Sequence, residues 1–303
     1  MTQKNPALEE LHSIRDFIRL GASQMNQAGV YFGHGTDSAW DEAVQLVLHA
    51  AGLPWDVNPE VLSARLLKSE KLEVLRLFEA RVSQRIPAPY LIGEAHFCGL
   101  PFNVDERVLV PRSPIAGLIE EGFQPWLGSV EVDRVLDLCT GSGCIGIACA
   151  HYFDMAEVDL ADISTAALEV CQSNIERHEM QERVTAVHSD LFSELKSCYQ
   201  LIVSNPPYVD QGDFDSMPAE YKHEPQLGLT SGADGLDITR KILRIASDYL
   251  TDDGILVVEV GNSEVALQQQ YPEVPFTWLE LPNGGNGVFV LAAEQLLEYR
   301  NQF

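Results

Sequence analysis

Short apolar runs that alternate with helical segments are the feature that most constrains the fold of this chain. From residue 130 onward, such runs are separated by stretches in which apolar residues recur every three or four positions. The runs are RVLDL, AEVDLAD, VTAVHSD, LIVSNPP, GILVVEV and GVFVLAA, and helices are predicted over 144–152, 164–177, 235–250 and 263–270. Continuous apolar strands alternating with helices are typical of a mainly parallel sheet that is covered on both faces. We therefore predict an α/β, Rossmann-like fold for this part of the chain.

The residues before this region show a different pattern. Apolar residues at helical spacing extend over residues 1–87, and a length of 303 residues is sufficient for two domains. Residues 88–112 are rich in Pro and Gly, and we expect a β-hairpin there that turns at 99–101. The predicted organisation is a helical substrate-recognition domain at 1–87, a hairpin linker at 88–112 and a catalytic domain at 113–303.

The charge of the chain is strongly negative. Twenty Lys and Arg residues stand against 45 Asp and Glu residues, a net charge of −25, and nearly all of the excess lies beyond residue 87. Nucleic-acid-binding proteins normally carry a basic surface, because neutralising phosphates dominates their affinity. An acidic surface attracts basic partners instead, although acidity that serves only solubility fits equally well. We expect a basic protein partner and no direct sequence-specific nucleic-acid binding.

Membrane, secretion and metal signals are weak. No apolar run approaches the ~20 residues that span a bilayer, and the N-terminus is polar without a signal-peptide pattern, so the prediction is a cytoplasmic protein without membrane contact. The six cysteines include no C-x-x-C pair, which favours neither a zinc site nor disulfides. Cys139, Cys144 and Cys149 are interpreted as small apolar residues of a buried turn and helix.

A glycine-bearing turn between the first strand and helix of the α/β part is the first candidate site. It reads DLCTGSGC at 137–144 and includes Thr140. In open α/β sheets, ligands bind at the carboxyl ends of strands beside the first such turn. Gly141 and Gly143 would let the backbone approach a ligand, since a Cβ there would collide with it. The carboxylate of Asp137 suits an ammonium group or a bound water better than a pyrophosphate, which it would repel.

Two further loops sharpen this assignment. Asp162 ends the second strand and could accept hydrogen bonds from two ribose hydroxyls, the alternative being an N-cap for the helix at Ser164. Asp190 follows the third strand, where it could meet an adenine amino group, with Leu191 against the adenine face. The three loops resemble those of class I S-adenosylmethionine methyltransferases. The resemblance implies that S-adenosylmethionine is the cofactor and that no metal is needed. It also implies that the cofactor is bound by Asp137, Thr140, Gly141, Gly143, Asp162, Asp190 and Leu191.

The most specific motif, VSNPPY at 203–208, follows the fourth strand. An amide nitrogen is a poor nucleophile because its lone pair is delocalised into the carbonyl group. Two acceptors, the side-chain oxygen of Asn205 and the carbonyl of Pro206, could bind both N–H groups and leave the lone-pair face toward a methyl group. Tyr208 could lie flat against the amide, so catalysis would be mostly positioning. The alternative is a turn that merely closes a strand.

This motif resembles that of methyltransferases acting on adenine, cytosine and glutamine nitrogens. Other segments are similar to the protein glutamine N5-methyltransferase family, over roughly residues 88–303: PYLIG at 89–93, FCGLPF at 97–102, VLVPR at 108–112 and EPQLGL at 224–229. The resemblance implies methyl transfer to a glutamine side-chain amide in a protein. It also implies that Asn205, Pro206 and Tyr208 are catalytic, that Asn205 borders the cofactor, and that Arg112, Pro207 and Glu224 bind substrate.

One difference from the family's typical sequence distinguishes between two branches of that family. Enzymes that modify the Gly-Gly-Gln release factors typically read Arg-Pro-Glu-Thr-Glu where this chain reads RSPIA at 112–116. This favours the branch that modifies ribosomal protein L three of the large subunit and supports ribosome assembly, and an acidic enzyme suits so basic a substrate.

Three alternatives remain. They are a release-factor methyltransferase, an adenine-N6 methyltransferase acting on nucleic acid, and a non-catalytic ribosome-assembly factor that keeps the fold. The acidic charge argues against the second, and the intact Asn205, Pro206, Tyr208 and Asp162 argue against the third.

Overall fold

The computed structural model describes residues 6–281 and 284–303. The chain divides into two units, one formed by Met1–Glu94 with Pro218–His223 and the other by Ala95–Met217 with Glu224–Phe303. The structure thus assigns to the first unit a short segment that lies far along the chain.

The first unit is helical, as its apolar spacing predicts. Its helices are α1 (Pro6–Glu10), α2 (Ile14–Gln27), α3 (Ala39–Ala50), α4 (Lys68–Ser83) and α5 (Ala88–Ile92), with 3-10 turns at Pro59–Ser63 and Ala219–His223. Helix α2 begins at a capping box, in which the Asp16 N–H donates to Ser13 Oγ and the Ser13 N–H donates to the Asp16 carboxylate. Phe17, Leu46 and Leu77 are fully buried where α2, α3 and α4 pack together.

A buried ionic cluster holds the distant segment within this unit. Arg81 is fully buried, and its guanidinium binds the Glu42 carboxylate, Glu220 Oε1 at 3.3 Å and the Tyr31 carbonyl oxygen at 2.7 Å. The Tyr31 N–H also donates to Glu220, at 3.0 Å. Burial by itself raises the pKa of Glu220, but the hydrogen bonds from this N–H and from Arg81 lower it by more. The net pKa of Glu220 therefore lies below its usual value. Glu220 therefore ties its segment to the helices as a carboxylate.

A β-hairpin of β1 (Glu94–Phe97) and β2 (Leu100–Asn103) begins at the last residue of the first unit, and its other residues belong to the second unit. Its turn is formed by Cys98 and Gly99, with φ of 49° and 72°, so the prediction of a turn at 99–101 was wrong by one residue. Two left-handed residues make a two-residue turn whose twist matches that of the flanking strands, and Pro101 is thereby placed in β2.

Within the described residues, seven strands form one sheet in the order β5-β4-β3-β6-β7-β9-β8. They are β3 (Arg134–Leu138), β4 (Glu157–Asp162), β5 (Val184–His188), β6 (Tyr199–Ser204), β7 (Leu250–Glu259), β8 (Thr277–Trp278) and β9 (Val288–Ala292). The first five in that order are parallel, whereas β9 is antiparallel to both β7 and β8. The helices of this unit are α6 (Ile115–Glu120), α7 (Cys144–Tyr152), α8 (Thr165–Arg177), α9 (Gln211–Ser216), α10 (Asp237–Ile245), α11 (Glu264–Gln270) and α12 (Ala293–Tyr299).

Both faces of the sheet are covered. Along β3, Val135 belongs to an apolar cluster that includes Ile147 of α7, whereas Leu136 belongs to a second cluster with Leu243 of α10 and Leu296 of α12. Successive residues of a strand point to opposite faces, so these clusters lie on the two sides of the sheet. The predicted fold class, a mainly parallel α/β sheet with helices on both sides, is confirmed.

The helix predicted over 235–250 is too long. Gly235 has a left-handed φ of 74°, and α10 runs only from Asp237 to Ile245. At the other end, Leu250 already pairs with Tyr199 of β6 and begins β7. The helical spacing continues through these residues, but pairing with the sheet decides their structure.

In the part of the chain that the structure describes, no helix is both long and apolar enough to cross a membrane. Nor does this part bring three His, Cys, Asp or Glu side chains together in a way that could hold a metal ion. All six cysteines are free thiols, and Cys144 and Cys149 are buried in α7 as interpreted from the sequence.

Candidate active site

The predicted site lies where the strand order of the sheet reverses. From β3 the chain runs outward to β4 and β5, whereas β6 lies on the other side of β3 and is followed outward by β7. Ligands of open α/β sheets bind at the carboxyl ends of the strands beside such a reversal.

The strand register brings the site residues into one row. Leu138 pairs with Ala161 of β4 and with Ser204 of β6. Ser204 in turn pairs with Val258 of β7. The next residue on each strand therefore lies in a row across four neighbouring strands, in the order Asp162, Cys139, Asn205, Glu259. At about 4.8 Å per strand, Asp162 and Asn205 stand roughly 10 Å apart.

Asp137 is fully buried beneath the glycine turn. Its Oδ2 accepts hydrogen bonds from Thr140 Oγ1 at 2.6 Å and from the Gly146 N–H at 2.9 Å, while its Oδ1 has no partner among the described residues. Burial raises the pKa of Asp137 to about 7 despite these two donors. Asp137 and Thr140 thus order the turn, and the remaining carboxylate oxygen keeps the capacity to accept from a cationic partner.

The glycines in and after the turn are required for different structural reasons. Gly141 and Gly143 both have left-handed φ, 57° and 83°. A Cβ on Gly143 would lie 2.9 Å from Cys171 Sγ, and one on Gly146 would lie 2.0 Å from Leu160 Cδ2. At Gly141 no described atom lies within 4 Å of that position. A Cβ at Gly143 would therefore collide with the protein itself, whereas the sequence analysis expected it to collide with a ligand. Of these glycines, Gly141 is the one with open space where a Cβ would stand.

Asp162 binds the same turn from the neighbouring strand. Its Oδ2 accepts from the Gly141 N–H at 2.9 Å and its Oδ1 from the Ser164 N–H at 2.8 Å. The N-cap of α8 is Ser164, whose Oγ accepts from the Ala167 N–H, so Asp162 is not the cap. Burial raises the pKa of Asp162. Each carboxylate oxygen retains a second lone pair, so binding of ribose hydroxyls is possible and stays a prediction.

The third predicted loop adjoins Asp162. The Ser189 N–H donates to the Asp162 carbonyl oxygen at 3.0 Å. Asp190 is exposed, whereas Leu191 has a left-handed φ of 52° and is only 9% exposed within the apolar cluster on one face of the sheet. The contacts of these two residues with adenine stay predictions.

Asn205 follows β6 directly and is half-buried. The preceding Ser204 fixes the end of the strand, because its Oγ donates to the Leu138 carbonyl oxygen at 2.7 Å. Among the residues that the structure describes, none forms a hydrogen bond with the Asn205 side chain or with the carbonyl of the buried Pro206. Both predicted acceptors can therefore receive N–H groups from a substrate. Pro207 is half-buried in the same turn.

Tyr208 is held by residues that the sequence prediction missed. Its hydroxyl donates to Glu259 Oε1 at 2.8 Å, and Glu259 Oε2 accepts from Ser113 Oγ at 2.6 Å. Glu259 is buried, which raises its pKa. A signal was present in the sequence, since Glu259 is the one charged residue of the apolar run GILVVEV and lies next to its end. Only the register of β6 and β7 places it beside Asn205.

The predicted substrate-binding residues Arg112 and Glu224 bind each other. The two guanidinium nitrogens of Arg112 lie 2.5 and 2.6 Å from the two carboxylate oxygens of Glu224, a bidentate ion pair. The Val110 N–H also donates to Glu224, at 3.0 Å. Glu224 is buried and Arg112 is partly exposed, so a substrate would meet the arginine first. Their role in substrate binding stays a prediction.

The fold and these loops define an S-adenosylmethionine-dependent methyltransferase of class I. Residues 125–220 match the family described as Methyltransferase small domain. A crystal structure of the hMettl16 catalytic domain with MAT2A 3′UTR hairpin 6 is 15% identical, with a TM-score of 0.50. The superposition covers 74% of this chain and 80% of the hMettl16 chain, and the two share the same fold.

Two curated relatives extend over nearly the whole chain. A ribosomal protein uL3 glutamine methyltransferase of Francisella tularensis subsp. tularensis is 48% identical over 98% of this chain and 95% of its own length. One of Neisseria gonorrhoeae is 50% identical over 97% of this chain and 98% of its own. The chain belongs to the ribosomal protein uL3 glutamine methyltransferase family, and the resemblance noted from its sequence motifs is confirmed.

Proposed function

We propose that this protein transfers a methyl group from S-adenosylmethionine to the side-chain amide nitrogen of a glutamine in ribosomal protein uL3. The names of the two relatives support the substrate. The net charge of −25 supports it as well, since an acidic enzyme is attracted to a basic ribosomal protein.

The observation that carries the proposal is a pair of acceptors after β6 that form no hydrogen bond with any described residue. Asn205 Oδ1 and the Pro206 carbonyl would accept the two N–H groups of the glutamine amide and hold its plane in one orientation. The ring of Tyr208 would cover that plane from one side. With the lone-pair face of the nitrogen thus presented, positioning can contribute ~7–11 kcal/mol toward lowering the barrier.

The residues around the glycine turn fit the cofactor. Asp162 retains lone pairs for ribose hydroxyls. The buried Oδ1 of Asp137 has no donor in the described part of the chain, and an ammonium group could provide one. Asp190 and Leu191 would bind the adenine. When bound, S-adenosylmethionine would supply an electrophilic methyl carbon. The amide nitrogen would bond to that carbon as the sulfonium S–C bond breaks, with S-adenosylhomocysteine as the leaving group and one N–H proton released to solvent.

Substrate recognition is assigned to the helical unit and to the pair of Arg112 and Glu224. The support for the unit is that Glu220, twelve positions after Tyr208 by residue number, is bound there by Arg81 and Arg85. The helices therefore order a segment that closely follows the catalytic motif. Substitution of the partly exposed Arg85 by Ala should raise the KM for uL3 and leave the cofactor Kd unchanged. An unchanged KM would argue against recognition by this unit.

A competition between substrates tests the function. The enzyme is incubated with methyl-labelled cofactor and with uL3 from cells that lack the enzyme, with a release factor carrying Gly-Gly-Gln, or with adenine-containing DNA. We expect label on a single glutamine of uL3, located by mass spectrometry, and none with Asn205→Ala beyond a small residual rate. Preferential labelling of the release factor or the DNA would contradict the proposal.

A further inference from the structure

Glu259 has no role in the function proposed above, yet it lies beside the predicted catalytic asparagine. The pairing of Ser204 with Val258 places Glu259 next to Asn205 at the carboxyl edge of the sheet. Its side chain is 5% exposed, and a carboxylate so deeply buried is costly unless its oxygens are hydrogen-bonded. Both oxygens are bonded, one to the Tyr208 hydroxyl and the other to the Ser113 hydroxyl.

The Tyr208 ring is also held by packing, in addition to the hydrogen bond of its hydroxyl. Gly261 has a left-handed φ of 46°, and a Cβ there would lie 2.5 Å from the ring carbon Cε2. The Tyr208 carbonyl oxygen also accepts from Ser263 Oγ at 2.9 Å. The ring therefore has one packed side, an anchored backbone and a hydroxyl directed at Glu259, which leaves it little rotational freedom.

We infer that Glu259 is a positioning residue for methyl transfer, which acts by holding Tyr208 in the orientation that covers the substrate amide. The inference rests on the proposed function, in which Tyr208 covers that amide. Glu259 does this through a hydrogen-bonded series that runs from Ser113 through Glu259 to Tyr208.

Ser113 sets the direction of that series. Its Oγ accepts the Ile115 N–H at 3.2 Å and donates its own hydrogen to Glu259, so the hydroxyl is oriented rather than free to rotate. It stands at the position where the chain departs from the release-factor pattern, in which a proline, with no hydroxyl, follows the arginine.

The chain offers a matched control. Tyr199, at the opposite end of β6, is fully buried and its hydroxyl donates to Asp159 Oδ2 at 2.7 Å. Tyr199→Phe thus removes a tyrosine–carboxylate hydrogen bond of the same kind, far from the site along the same strand. It should lower stability and leave methyl transfer unchanged.

The kinetic test is a double-mutant cycle in the full-length enzyme with uL3 as substrate. Glu259→Ala and Tyr208→Phe should each lower kcat about 10–100-fold, the range expected for a misplaced reactant, with unchanged cofactor Kd. The double variant should be no slower than the slower single variant, because both remove one interaction. Glu259→Gln should restore most of the rate, since its carbonyl can accept from Tyr208 and its NH2 can donate to Ser113. Independent, multiplying effects, a Gln variant as slow as Ala, or equal losses in Tyr199→Phe would overturn the inference.

A second readout needs no methyl transfer. With ring-labelled tyrosine, the NMR signals of Tyr208 should report a fixed ring in the wild type and a rapidly flipping one in Glu259→Ala, with no such change in Tyr199→Phe. A ring that is equally mobile in wild type and Glu259→Ala would overturn the inference whatever the substrate. If the ring responds as expected but uL3 is not methylated, the proposed function fails and the positioning of Tyr208 by Glu259 stands.

Discussion

Replacement of Asn205 separates catalytic from structural importance. In the described chain no group forms a hydrogen bond with the Asn205 side chain, so Asn205→Ala leaves no protein donor unpaired. The stability loss should therefore stay below about 1 kcal/mol. Methyl transfer should fall far more, on the order of 10²–10³, as when one preorganised hydrogen-bonding partner is removed from an enzyme site. The Pro206 carbonyl remains as the second acceptor, which accounts for residual activity.

Asn205→Asp adds a charge test at the same atom. It keeps an acceptor in place but places a negative charge near the cofactor sulfonium, so the cofactor should bind no more weakly while alignment of the amide suffers. The adjacent Ser204→Ala is the matched control, because it removes a buried hydrogen bond to the Leu138 carbonyl, with a stability loss of about 1 kcal/mol and little effect on rate.

The assay for these variants is single-turnover methyl transfer to uL3, together with calorimetry of cofactor binding and thermal unfolding. A folded Asn205→Ala enzyme that binds cofactor and turns over at nearly the wild-type rate would refute the reasoning. So would a loss of rate that only follows the fraction of unfolded protein.

Three further perturbations have defined outcomes. Asp162→Ala should weaken cofactor binding by ~1–3 kcal/mol in calorimetry, and unchanged affinity in a folded variant would exclude the ribose contact. Arg81→Met leaves Glu42 buried without its guanidinium partner, and leaves Glu220 with only the partly exposed Arg85. It should cost ~3–5 kcal/mol in urea unfolding, and a loss under 1 kcal/mol would contradict this. The raised pKa of Asp137, about 7 against 3.8 unfolded, means that the folded chain holds this proton more tightly, so cofactor-free protein should lose stability as pH rises through that window. Cofactor binding favours the ionised Asp137, so the cofactor affinity should increase as the pH rises toward 7. Below pH 7, binding should release a proton. Calorimetry that shows no pH dependence would refute the contact between Asp137 and the cofactor.

The parts of the fold that depend on local pattern were predictable from the sequence. The run RVLDL coincides with β3, and the predicted helix at 144–152 coincides with α7, because both are mainly apolar and bounded by turns. The candidate residues Asp137, Asp162 and Asn205 were found by the rule that ligand-binding side chains follow the carboxyl ends of strands.

What the sequence did not reveal depends on pairing over long distances. Glu259 is placed beside Asn205 only by the register of β6 and β7. Glu220 lies 139 residues from its partner Arg81, and no local pattern links a short turn after the catalytic motif to a helix near the N-terminus. The end of α10 was missed for a related reason, since pairing of Leu250 with Tyr199 overrides a helical spacing of apolar residues.

The most direct measurement of the central claim is a crystal structure of the enzyme with S-adenosylhomocysteine and a uL3 peptide that carries the target glutamine. The account predicts that the amide nitrogen of that glutamine lies about 2.7–3.2 Å from both Asn205 Oδ1 and the Pro206 carbonyl oxygen, with the Tyr208 ring against the amide plane. An ordered glutamine whose amide is bound by other groups, with the Asn205 side chain turned away from it, would contradict the account.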